Sequence, residues 1–116
     1  MGRMVRTVGI DPGIGGAVVV LDEDGNLARC SRTPILIENS KKAYDIGAMR
    51  DIIVRVGHEA SQLNGSVLVG IEKVHTHPHD GRVGAFRFGV GYGIWLGLIS
   101  GTFTPYMEIM PQRWQA

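Results

Sequence analysis

A mixed α/β domain with its elements in the order βββαβαβ is the fold class this sequence predicts. Short apolar runs rich in β-branched residues, parted by turn residues, occupy the first third of the chain. One later stretch repeats its apolar residues at helical spacing, and a continuous apolar run follows it, as in a strand buried on both faces. The 116 residues suffice for one domain and one core, not for two lobes, so 1–116 reads as a single unit.

Val5 to Ile10 forms the first apolar run and ends at Asp11, where Pro12-Gly13 stops the ladder. Gly15-Gly16 lead into Ala17-Val18-Val19-Val20-Leu21, the second strand. Asp22 to Asn26 is a hairpin turn in which Gly25 can supply a positive φ, and Leu27 to Arg32 is the third strand, closed by Pro34. These three strands read as an antiparallel meander, followed by a polar connection. Met49, Ile52, Ile53, Val56, Ala60 and Leu63 then form one helical face, with Asp45 as N-cap and Asn64-Gly65 as stop. Asp51 and Arg55 stand at the i,i+4 spacing that favours an ion pair. Val67 to Ile71 is the fourth strand and ends at Glu72, before a polar loop carrying His75, His77, His79 and Asp80. A glycine-studded helix runs from about Gly84 to Ser100, and Tyr106 to Ile109 is the last strand, parallel with the fourth to the first. Gly89, Gly93, Gly97 and Gly101 share one helical face. Each costs about 1 kcal/mol against alanine, which close packing on the sheet or on another subunit would offset.

Composition narrows the function classes. Hydrophobic residues make up 44% and charged residues 20%, which excludes a disordered chain. Twelve Lys and Arg against eleven Asp and Glu leave a net charge of +1, so a case for nucleic acid has to rest on a local site. Phe88 to Met107 carries no charge and contains small residues at four-residue spacing, which invites comparison with a membrane span. Pro105, Thr102 and Thr104 divide the run, and a buried helix followed by a strand is the expectation, with no membrane. The lone Cys30 cannot form an internal disulfide, and no secretory signal opens the sequence, so a reducing cytoplasm is expected.

Asp11 and Glu72 each terminate an apolar strand, which would hold both carboxylates in one polar pocket if the strands are neighbours. Mg²⁺ takes one or two protein carboxylates together with water and phosphate oxygens. Strand-end acids also cap loops or pair with arginine, so the two residues alone leave the alternatives open.

Their surroundings carry a resemblance. Gly9-Ile10-Asp11-Pro12-Gly13 before a β-hairpin, Gly70-Ile71-Glu72 after an amphipathic helix, and Phe88-Gly89 opening a glycine-rich helix resemble RuvC-type Holliday-junction resolvases, most nearly the phage and prophage branch. The likeness runs from Val5 to Trp114. It implies a ribonuclease H-like, five-stranded mixed sheet, Mg²⁺ or Mn²⁺ as cofactor, a homodimer, and four-way junctions or other branched DNA as substrate. It carries over Asp11 and Glu72 as the first two catalytic metal ligands. The family's remaining ligands lie on a last helix beyond the position of Trp114, while this sequence ends at Ala116; the expectation is a C-terminally truncated, weakly active or inactive core. An aromatic wedge residue that many resolvases carry is here His75.

Lys73, His75, Arg82 and Arg87 are candidates for DNA contact, with Arg113 and Trp114 as further ones. His75, His77, His79 and Asp80 could alternatively bind zinc or nickel, or form a solvated loop. Two other functions stand beside an active nuclease. One is a remnant that dimerises or binds DNA without cutting. The other is one lobe of an actin-like sugar kinase or ATPase, whose first hairpin also pairs an Asp with glycines but which needs a second lobe.

Overall fold

The computed structural model describes residues 4–73 and 81–109. Its main sheet has five strands: β1 (Val5–Asp11), β2 (Ala17–Leu21), β3 (Leu27–Arg32), β6 (Ser66–Glu72) and β7 (Tyr106–Ile109), in the order β3-β2-β1-β6-β7. Between β3 and β6 come a separate two-stranded hairpin, β4 (Ile35–Glu38) with β5 (Lys41–Tyr44), and helix α1 (Ile46–Gln62). Helix α2 (Arg82–Gly101) joins β6 to β7. β1 to β3 pair antiparallel, whereas β6 is parallel to β1 and β7 parallel to β6, as the order of elements predicts.

The turn from β2 to β3 is built as its residues dictate: Asp22 Oδ1 accepts from the amides of Asp24 and Asn26, both at 2.9 Å, and Gly25 takes φ +82°. Helix α1 is capped by Asp45, whose carboxylate accepts from Ala48 N at 3.1 Å, and stops where Asn64 adopts φ +54°. Its buried residues are Met49, Ile53, Val56 and Ala60, while Leu63 of the expected face is exposed. These residues pack with Val8, Ile10, Val18, Val20, Val69 and Ile71 from the sheet, and Trp95 and Ile99 from α2 complete the same core. Both helices therefore cover one face of the sheet.

Four expectations need correction. The polar connection after β3 contains the β4–β5 hairpin, turned by Asn39 and Ser40 at φ +50° and +64°. Asp51 pairs with its neighbour Arg50 at 3.0 Å rather than with Arg55. Helix α2 buries only Gly91, Trp95 and Ile99, so it is a one-sided helix, although long and apolar enough by length and composition to cross a membrane. Finally, a β-carbon added at Gly89, Gly93, Gly97 or Gly101 would meet nothing within 4 Å, so this row does not pack on the sheet. The closely packed glycine of α2 is Gly91, which lies beneath the ring of Tyr44.

Candidate metal centre

Strand alternation decides which side chains share a face. On β1, Val8 and Ile10 point to the helices, so Thr7, Gly9 and Asp11 point away from them. On β6, Val69 and Ile71 enter the core and Leu68, Gly70 and Glu72 take the opposite face. The parallel register pairs Gly9 with Gly70 and Ile10 with Ile71, which makes Asp11 and Glu72 the next positions on neighbouring strands. Strands in a sheet lie about 4.8 Å apart, so the two carboxylates spring from backbone positions a single strand spacing apart.

Both line one groove of about 530 Å³ on the face away from the helices. Its walls are Ala17, Val19 and Leu21 on one side and Leu68, Met107 and Ile109 on the other. Its floor is low because the paired Gly9 and Gly70 carry no side chains. A β-carbon on Gly70 would lie 3.0 Å from Ile109 Cδ1, so the glycine also leaves room for that side chain over the groove floor. Leu68 and Met107 are exposed, and among the described residues no element covers this face. The expectation that the fourth strand is buried on both faces therefore holds for its helix-facing residues only.

The turn after Asp11 is tightly determined. Gly16 N donates to Gly13 O at 3.0 Å, and Gly13 packs against the ring of Phe88, 3.3 Å from where its β-carbon would be. That contact ties α2 to the site's first loop. Tyr92 of α2 hydrogen-bonds Glu108 of β7, and burial together with that carboxylate pushes the phenol up to about 12, so it stays protonated at neutral pH.

The donor set suits a hard divalent cation. Asp11 and Glu72 offer carboxylate oxygens at one end of the groove, and its described lining includes no imidazole or thiolate. No group of three or more His, Cys, Asp and Glu residues able to hold a metal occurs among the described residues. Two carboxylates make a partial ligand set that leaves positions for water and phosphate oxygens.

Of the residues expected to meet DNA, Lys73 is exposed directly after Glu72, with its amide bonded to Ile109 O at 2.9 Å. Arg82 is exposed at the start of α2, and Arg87 lines a second groove with Lys42, Tyr44 and Ile14. Arg87 thus lines a different groove from the one that holds Asp11 and Glu72. His75, His77, His79, Asp80, Arg113 and Trp114 lie outside the described residues. Sequence reasoning missed Lys42 and Tyr44; the available signal was the Asn39-Ser40 turn between two short runs holding Ile35, Ile37, Ala43 and Tyr44.

No family model matches the sequence, and a search of curated protein sequences finds no match. Solved structures do match. RuvC of Thermus thermophilus in complex with a Holliday-junction substrate overlaps with a TM-score of 0.61 at 15% identity, over 94% of this chain and 66% of that one. The fold is RuvC-like. A second Thermus thermophilus RuvC structure gives a TM-score of 0.51 at 17% identity, over 91% of this chain and 64% of its own. The chain therefore spans about two thirds of the RuvC chains it matches. The ethanolamine utilization protein EutJ of Carboxydothermus hydrogenoformans overlaps with a TM-score of 0.39 at 17% identity, over 93% of this chain and 37% of its own, too slight a likeness to bear on function.

Proposed function

We propose that this chain carries the first two metal ligands, Asp11 and Glu72, of a divalent-metal-dependent endonuclease selective for four-way junctions or related branched DNA. The observation that supports it is the adjacency of these carboxylates at the ends of parallel β1 and β6, in one groove, within a RuvC-like fold. Their oxygens would hold Mg²⁺ or Mn²⁺, which when bound supplies activation of water and stabilisation of the leaving oxygen in phosphodiester hydrolysis. Asp11 and Glu72 act by position, each fixed at a strand end and lining one groove. Lys73 supplies a cation for a substrate phosphate beside Glu72. A homodimer belongs to the same proposal, and the bare face of Gly89, Gly93 and Gly97 is the surface offered to a second copy.

Two described carboxylates are a minimal set, and a binding-only protein is the second reading it supports. The two separate in one assay, with labelled four-way junction, Mg²⁺ or Mn²⁺, the 116-residue chain and its Glu72→Gln variant. Slow cutting that the Glu72→Gln variant abolishes is expected, because misplacing a reactant by about 1 Å costs on the order of a hundredfold in rate. Efficient cutting abolished in the variant would refute the incomplete-site part and retain the nuclease. Junction binding without any cutting favours the second reading, and loss of both rejects the proposal.

A further inference from the structure

The β4–β5 hairpin takes no part in the five-stranded sheet, and its place is fixed by Tyr44. The Tyr44 hydroxyl donates to the carbonyl oxygen of Arg87 at 2.9 Å, and the ring occupies the space above Gly91, where a β-carbon would come 2.7 Å from Tyr44 Cζ. The register pairs Ile35 with Tyr44 and Ile37 with Lys42, so these four share one face of the hairpin. Between hairpin and helix lies a groove of about 270 Å³ lined by Ile14, Lys42, Tyr44, Phe86, Arg87 and Val90, among others.

Three properties of this groove point to one class of ligand. Its described lining holds two cations, Lys42 and Arg87, and no acidic residue. Phe86 presents its ring to solvent at 72% exposure, beside Val90, which is exposed as well. Its third wall is Ile14, in the same short turn as Asp11, and α2 is tied to that turn by the contact of Phe88 with Gly13. An aromatic platform beside basic side chains is the chemistry that receives single-stranded nucleic acid, bases stacking on the ring while phosphates meet the cations.

We propose that the β4–β5 hairpin and the first half of α2 form a strand guide, which takes an unpaired DNA strand adjoining the junction, with a base on Phe86 and phosphates on Lys42 and Arg87. The proposal rests on the DNA-directed reading of Asp11 and Glu72 and adds a recognition element to it.

The test measures fluorescence anisotropy of labelled four-way junction and labelled single strand with the full chain in EDTA, over a salt series. Lys42→Glu is expected to weaken binding about tenfold or more and to lower the salt slope by about one, the loss of one phosphate contact. Phe86→Ala should weaken it about tenfold with the salt slope unchanged, and Phe86→Trp should retain it. Circular dichroism and gel filtration should leave fold and oligomeric state of each variant as in the wild type. If the wild type binds and both variants bind within about twofold of it, the strand guide is wrong while the DNA reading stands. A Phe86→Ala variant that loses self-association but keeps its DNA affinity makes the groove a contact between copies, and also overturns the proposal. Absence of DNA binding by the wild type removes the parent reading and the strand guide together.

Discussion

A β-carbon placed on Gly16 would lie 2.9 Å from the carbonyl carbon of Asp11 and closer still to its oxygen, so only glycine lets the chain double back beneath that residue. The backbone of Asp11 is thereby held from two sides, by β1 and by the returning turn. Calorimetric titration with Mn²⁺ should give weak binding that disappears in Asp11→Asn. Binding unchanged in that variant but lost on replacing His75, His77 and His79 would move the site to the histidine loop. Glu59 shows a different use of a carboxylate. Arg29 forks onto it at 2.6 and 3.0 Å, Arg6 lies 3.5 Å away, and the hydrogen bonds from Arg29 hold its carboxyl below the ordinary 4.5. A carboxyl depressed in the folded chain stabilises fully above its unfolded pKa and loses that contribution as pH falls through the folded one. Glu59→Gln should therefore cost about 1 kcal/mol at pH 7 in urea denaturation, with the gap to wild type closing below pH 4.5. A gap that persists into acid would make the loss one of packing. Asp11 and Glu72 were legible in the sequence because each ends an apolar run. The Glu59 pairs were not, since they join strand and helix across a separation that no local spacing reveals.

Helix α2 is the element whose sequence misleads. Four glycines at four-residue intervals suggest a close contact, yet within this chain their face is open, and the packing is done by Gly91, Trp95 and Ile99 on the other side. Periodicity identifies a face without saying what meets it. In a dilute sample Gly93→Ala should stabilise the fold by about 1 kcal/mol, the helix-propensity difference alone. Gly93→Leu should stabilise the dilute chain by nearly as much, leucine being almost as good a helix former, and reduce association in sedimentation equilibrium if copies pair through this face. Marked destabilisation of the dilute chain by alanine would contradict the open face. The β4–β5 hairpin was hidden for the opposite reason: its strands are four residues each, and its turn uses Asn39 and Ser40 at positive φ where glycine would have announced it.

At the scale of the whole molecule the order of elements alone yields the five-stranded sheet and its strand directions, because short turns enforce antiparallel pairs and helical crossovers enforce parallel ones. What it does not yield is the open second face, where Val19, Leu68 and Met107 flank the carboxylates, since an apolar strand reads the same whether one side is covered or two. The β1–β6 pairing also carries a consequence in time. β1 finds β2 across a short turn, but it meets β6 only by closing a loop of roughly 60 residues, the kind of contact that forms late. Asp11 and Glu72 sit at the far end of that pairing. A cation bound between them would meet both carboxylates only after the rate-limiting barrier. In stopped-flow experiments Mn²⁺ should slow unfolding and leave the refolding rate almost unchanged. Faster refolding with unfolding unaffected would mean that the two strand ends already meet in the transition state.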